Sequence, residues 1–210
     1  MQSLWSAVQR GYMRVIAPVA DWLVARRVRP NTITTIGTIC TCTAGVIFAS
    51  GHISAGGWFL GLTALFDVLD GNVARRTGQS TVFGAFYDST LDRVGDGATF
   101  IGIAAYLLKA PGVALRIETA VVCMIAILSS LLVSYARARA EGLGLDCKVG
   151  IVQRAERMIM IGVPSLIVGA GPNGIVLQGL TVVLAILSTI TVVQRFVYVY
   201  QVTEGTPGPK

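Results

Sequence analysis

Asp67, Asp70, Asp88 and Asp92 stand within 26 residues, set between long apolar runs. The first two are spaced i, i+3 and the last two i, i+4, so on helices each pair shares one face. The Gly78 region is the natural turn between two such helices. In an antiparallel hairpin about Gln79, Asp70 lies nine residues before the turn and Asp88 nine after it; Asp67 lies twelve before and Asp92 thirteen after. All four carboxylates then reach nearly the same level and can face one another. Unpaired, they would repel each other and carry a heavy desolvation cost. Mg2+ or Mn2+ removes the difficulty, because hard divalent cations prefer carboxylate oxygen. The spacing therefore reads as a metal site.

The residues around the aspartates suit a phosphorylated substrate. Gly71 lets a diphosphate or a neighbouring helix approach the backbone closely. Arg75, one turn further on, can grip a phosphate with two parallel hydrogen bonds. Thr81 stands near the mouth, able to bond a ligand or to cap the helix. Asp96 extends the acidic stripe by one turn and reads as a helix-contact or supporting residue. Further along, Arg137, Arg139, Arg154, Arg157 and Arg195 fall at the ends of apolar runs that reach the same face. Such a basic set matches the geometry and charge of a phosphate, while arginines at an interface also meet lipid headgroups, which would account for two or three of the five. An ion-coupled transporter could also use intramembrane aspartates for cations. Gly71, Ala74, Arg75 and Gly84 answer no need of a transporter.

The elements that must position these residues follow from composition. Hydrophobic residues make up 53% of the 210-residue chain and charged residues 13%, and mean hydropathy is +0.68. That is too apolar for a soluble globular domain. The expected fold is all-α and polytopic, with six transmembrane helices over about 31–50, 54–77, 80–108, 116–141, 150–170 and 174–199. Each run is long enough for the roughly 30 Å hydrocarbon core, which needs about 20 helical residues. Residues 1–29 read as an amphipathic helix lying in the interface: Trp5, Val8, Tyr12, Val15 and Trp22 recur at helical spacing opposite Arg10, Arg14, Arg26 and Arg27. No cleavable signal peptide is expected, since residues 1–14 lack an apolar core. The domain proper is 30–200, and 201–210 is a tail. Cys40, Cys42, Cys123 and Cys147 show no zinc or disulfide spacing and read as packing residues.

Charge sets the orientation. With six spans, 15 of the 17 Lys and Arg fall on the side of the two termini and the Gly78 turn, and only Lys109 and Arg116 lie opposite. The positive-inside bias puts both termini and the aspartates at the cytoplasmic face of the cell membrane. The net charge of +6 thus belongs to membrane topology, and no nucleic-acid partner is expected.

The pattern D-x2-D-G-x2-A-R-x8-G-x3-D-x3-D, filled by Asp67, Asp70, Gly71, Ala74, Arg75, Gly84, Asp88 and Asp92, resembles the signature of the CDP-alcohol phosphotransferases. The resemblance implies a six-helix membrane enzyme, usually a homodimer, that displaces CMP from a CDP-linked lipid with an alcohol. It implies two divalent ions held by the four aspartates, with Asp92 as general base. It also implies contact of the CDP-lipid with Pro30, Asn31, Thr32 and Ile33, beside Gly71, Arg75 and Thr81. The phrases around Asp88–Gly97, Ser134–Glu141, Arg154–Arg157 and Gln194–Arg195 resemble the bacterial phosphatidylinositol phosphate synthases. Those enzymes use CDP-diacylglycerol and inositol 1-phosphate, and their basic pocket corresponds to the five arginines named above. Position 137 often carries lysine there; Arg137 keeps the charge with a different geometry. Phosphatidylglycerophosphate synthases typically have proline after the third aspartate and lysine after the fourth, where this chain has Ser89 and Arg93. That reading and an archaetidylinositol phosphate synthase with an ether-lipid donor are the alternatives within the family.

Overall fold

Long apolar segments in a membrane must satisfy their backbone groups internally, and a helix does so within one segment. The structure, a computed structural model, describes residues 17–204, and these are helical with no strand. A helix over 17–25 (α1) leads to α2 (Pro30–Ala49), α3 (Ile53–Thr77), α4 (Val82–Lys109), α5 (Arg116–Glu141) and α6 (Arg154–Val168). A 3-10 turn (Pro172–Gly174) then opens α7 (Ile175–Thr203). Four of these, α2, α3, α5 and α7 with its leading turn, are long and apolar enough to cross a membrane. The remaining two expected spans differ for separate reasons. α4 has 28 residues, but Asp88, Asp92, Arg93 and Asp96 crowd the part from its N-terminus to its middle. α6 has 15 residues, about 22 Å at 1.5 Å per residue.

α6 starts at Arg154 rather than near 150 because the preceding backbone is held elsewhere. Gln194 accepts from the Ile151 N–H at 3.2 Å and Thr191 Oγ1 from the Val152 N–H at 3.2 Å. Arg195 Nε donates to the Val149 carbonyl at 2.9 Å, and the Tyr198 hydroxyl donates to the Asp146 carbonyl at 3.0 Å. Four side chains of α7 therefore satisfy the extended stretch before α6. Glu156 then accepts from the Gln153 N–H at 3.0 Å and starts the helix.

The acidic helices are fixed by close packing. A Cβ on Gly102 of α4 would lie 2.0 Å from the Gly45 carbonyl oxygen of α2, and one on Gly45 would lie 2.4 Å from the Ala98 carbonyl oxygen. Only glycine permits that crossing, in which the two backbones touch. α2 also packs along α3, α3 along α6, and α5 along α7. Phe48, Leu60, Phe100, Ile103, Cys123, Ile161 and Leu184 form the main core between them.

Of the expected juxtamembrane segment, residues 1–16 lie outside the described residues, as do 205–210 of the tail. In the described part, α1 buries Ala20 against Ile33, Leu69 and Val73, and Asp21 pairs with Arg76. Trp22 stays 55% exposed. One side of α1 is thus packed on protein, at the end of α3 that carries the aspartates.

Candidate active site

α3 ends at Gly78, whose φ of 64° is a left-handed conformation that suits glycine. Thr81 caps α4 by accepting from the Gly84 N–H at 2.9 Å. The chain thus reverses over Gly78–Thr81, and the two aspartate pairs come to one level, as their spacing predicts. Asp67, Asp70, Asp88 and Asp92 are near enough for their charges to interact.

The carboxylates separate two environments. On one side lies an open cleft of about 180 Å³ lined by Pro30, Asn31, Thr34, Asp70, Gly71, Thr81 and Asp88 among others. Thr34 donates to Asp70 Oδ2 at 2.9 Å, which ties α2 to α3 at the cleft wall. The guanidinium of Arg75 folds back over Gly71, within 3.3 Å of where a Cβ would be, and so edges the cleft while remaining exposed. On the other side is the start of α6. Arg154 bonds Asp67, reaches Asp92 Oδ1 with Nη2 at 3.1 Å and Asp96 Oδ1 with Nε at 3.6 Å. Arg157, 0% exposed, bonds Asp96 Oδ2 at 2.6 Å. Among the described residues, its Nε and Nη1 are buried without a protein partner.

Several expected site residues stand elsewhere. Ile33 is 2% exposed in the core against α1 and α3, and Thr32 is exposed away from the cleft lining. Both follow from helix periodicity: α2 starts at Pro30, so Pro30, Asn31 and Thr34 share the cleft face and Ile33 turns inward. The five arginines do not form one pocket. Arg154 and Arg157 are drawn onto carboxylates because α6 begins level with them. Arg195 is buried, bonding the Val149 and Val133 carbonyls, although Arg137 and Arg157 remain within range of its charge. Arg137 pairs with Glu141 at 2.8 Å. Arg139 is exposed beside Tyr135 and Phe196, over a small cavity it shares with Arg195.

Nor do the aspartates form a closed ligand set here: among the described residues, no three His, Cys, Asp or Glu side chains converge as an ion would require. The positive charges facing them are Arg154 and Arg93, whose Nη1 donates to Asp92 Oδ2 at 3.4 Å. Gln79, Ser80 and Ala85 also line the cleft. Their only signal in the sequence is proximity to the turn. Thr34 had a clearer one, four residues after Pro30 on the same helix face.

A fold of this kind with this site defines a family. The chain belongs to the CDP-alcohol phosphatidyltransferases, which it matches over residues 27–197. It is thus a transferase, and with its four apolar helices a membrane protein. It is 42% identical to archaetidylinositol phosphate synthase of Methanothermobacter thermautotrophicus over 188 residues, 90% of each chain. It is 40% identical to phosphatidylinositol phosphate synthase of Cutibacterium acnes over 204 residues, covering 93% of this chain and 97% of that one. Among solved structures it resembles Mycobacterium tuberculosis phosphatidylinositol phosphate synthase with CDP-DAG bound. The TM-score is 0.78 at 33% identity, covering 89% of this chain and 94% of that one. The same mycobacterial enzyme in complex with manganese and citrate matches with a TM-score of 0.78 at 32% identity, over 88% of each chain.

Proposed function

We propose that this protein transfers the phosphatidyl group of CDP-diacylglycerol to a hydroxyl of inositol 1-phosphate, giving phosphatidylinositol phosphate and CMP. The observation that carries this reading is the placement of the carboxylates between an open cleft and the α6 arginines. The cleft side suits the CDP-lipid, with Gly71 allowing close approach and Arg75 and Thr81 at its rim. The α6 side suits the phosphate of the acceptor, for which Arg154 and the unpartnered N–H groups of Arg157 are donors. Relatives at about the same similarity carry the activity in their names, which supports the choice of acceptor.

Asp92 takes the proton from the attacking hydroxyl. The acceptor oxygen bonds to the β-phosphorus as the bond from that phosphorus to the bridging oxygen breaks, and CMP leaves with the bridging oxygen. Asp67, Asp70, Asp88 and Asp92 fit two Mg2+ or Mn2+ ions by their chemistry: all are hard oxygen donors at one level, and Arg154 stands in for a cation among them. Such ions, when bound, neutralise the diphosphate and the departing CMP.

The same reading places α4 and α6 in the bilayer with the other four helices, six spans in all. Both termini and the site then face the cytoplasm at the cell membrane. It also takes the protein to be a homodimer, as is usual in the family.

A second reading concerns the donor alone, since the archaeal relative is named for an archaetidyl product. CMP release settles both points. Purified protein with CDP-diacylglycerol is expected to release CMP only when both Mn2+ or Mg2+ and inositol 1-phosphate are present. CMP release with glycerol 3-phosphate in place of inositol 1-phosphate would reject the acceptor. A strong preference for the ether-lipid CDP derivative would reject the donor, and no CMP with any pair would reject the enzyme.

A further inference from the structure

One guanidinium, that of Arg154, holds carboxylates from two helices at once. Its Nη1 is on Asp67 of α3, its Nη2 on Asp92 of α4 at 3.1 Å, and its Nε near Asp96 of α4 at 3.6 Å. Asp96 is 4% exposed and already bonded to the buried Arg157, so it cannot swing away with ease. Asp67 and Asp92 are more open, with side chains 38% and 18% exposed. The three contacts differ in kind: that to Asp67 is a hydrogen bond, that to Asp92 a close ion pair, and that to Asp96 a longer ion pair with no hydrogen bond between Nε and Oδ1. Two are to acids that can turn, and one is to an acid that cannot.

We propose that Arg154 is a latch that closes the acidic cluster in the metal-free protein and makes acceptor binding depend on metal binding. The inference rests on the metal and acceptor reading given above and adds an order to it. Without divalent ions, Arg154 supplies positive charge to Asp67 and, together with Arg93 at 3.4 Å, to Asp92, and both its Nη groups face carboxylates. When Asp67 and Asp92 turn their oxygens to divalent ions, Arg154 loses those two partners and keeps Asp96. The freed Nη groups, kept in place by the charge of Asp96 alone, become donors for an incoming phosphate beside the idle N–H groups of Arg157. The same side chain cannot serve both ends at once. Metal must enter first.

The test uses the full chain in detergent and Mn2+ as probe. Calorimetric titration is expected to show Arg154→Gln binding Mn2+ about tenfold more tightly than the wild type, the scale of one charge-assisted hydrogen bond removed from competition. Arg154→Lys keeps the charge but cannot bridge two carboxylates, and it too is expected to bind more tightly than wild type. Equal affinities in all three forms overturn the latch. Lysine behaving as wild type while glutamine binds more tightly also overturns it, since charge at a distance would then suffice. No Mn2+ binding by any form defeats the metal reading itself. A measurement on the unaltered protein stands apart from any folding defect. Phenylglyoxal modification of Arg154, followed by mass spectrometry, should accelerate when Mn2+ replaces EDTA; an unchanged or slower rate overturns the proposal.

Discussion

Thr34 of α2 donates its hydroxyl to Oδ2 of Asp70 on α3 across 2.9 Å, so the cleft and the acidic cluster share a wall built by two helices. Removing that hydroxyl in Thr34→Val leaves Asp70, which is nearly buried, without its one side-chain donor there. A hydrogen bond to a charged group contributes about 1.5–3 kcal/mol. Affinity for Mn2+ and CDP-diacylglycerol is expected to fall by about tenfold or more, the factor carried by 1.4 kcal/mol. Thr34→Ser should behave as wild type. Unchanged affinity in the valine variant would remove Thr34 from the site.

Asp92 carries a different burden. Asp92→Asn keeps the shape and loses the base, so turnover is expected to drop by about 10²–10⁴-fold, the usual contribution of a positioned general base. CDP-diacylglycerol should still bind, and equilibrium binding of the lipid separates the two effects. Wild-type turnover in this variant would exclude Asp92 as the base.

The buried pair of Asp96 and Arg157 makes an independent test of structure against function. Taking away one partner leaves an uncompensated buried charge, at a cost of about 3–5 kcal/mol. Asp96→Leu is therefore expected to lower the melting temperature sharply. Restoring an apolar match in Asp96→Leu with Arg157→Met should recover most of that stability, since well-packed apolar pairs often equal buried ion pairs. The double variant should nonetheless show a raised acceptor KM with little change in the donor KM. If KM for both substrates stays at wild type, Arg157 has no part in the acceptor site.

What could be read from the chain and what could not divide along one physical line. The hairpin of α3 and α4 was legible because Gly78 and the spacing of the aspartates are local facts, and helix geometry converts spacing into facing. Pro30 and Asn31 are expected at the cleft from the family resemblance and Thr81 from its place beside the turn, and all three line it. Ile33 was misplaced because its face depends on α1, whose packing no local signal announces. The arginines group by their places near helix ends, but such a place does not say which partner a long side chain finds. Arg157 meets Asp96 of α4 because α6 begins level with the carboxylates, held there by its packing along α3, where a Cβ on Gly57 would lie 2.6 Å from the backbone of Leu166. That contact spans more than a hundred residues of sequence.

The stretch before α6 has a consequence for how this chain can vary in length. Asp146, Val149, Ile151 and Val152 are each tied by backbone to a separate residue of α7, so one inserted residue there would shift every tie and rotate Arg154 off its targets. Gly144, with a φ of 81° and nothing within 4 Å of its would-be Cβ, has no such obligation. Additions and deletions are therefore expected about Gly144, whose N–H bonds back to Glu141 of α5 and not to α7, and the phase of α6 is inherited from α7 instead of from the segment that joins it to α5.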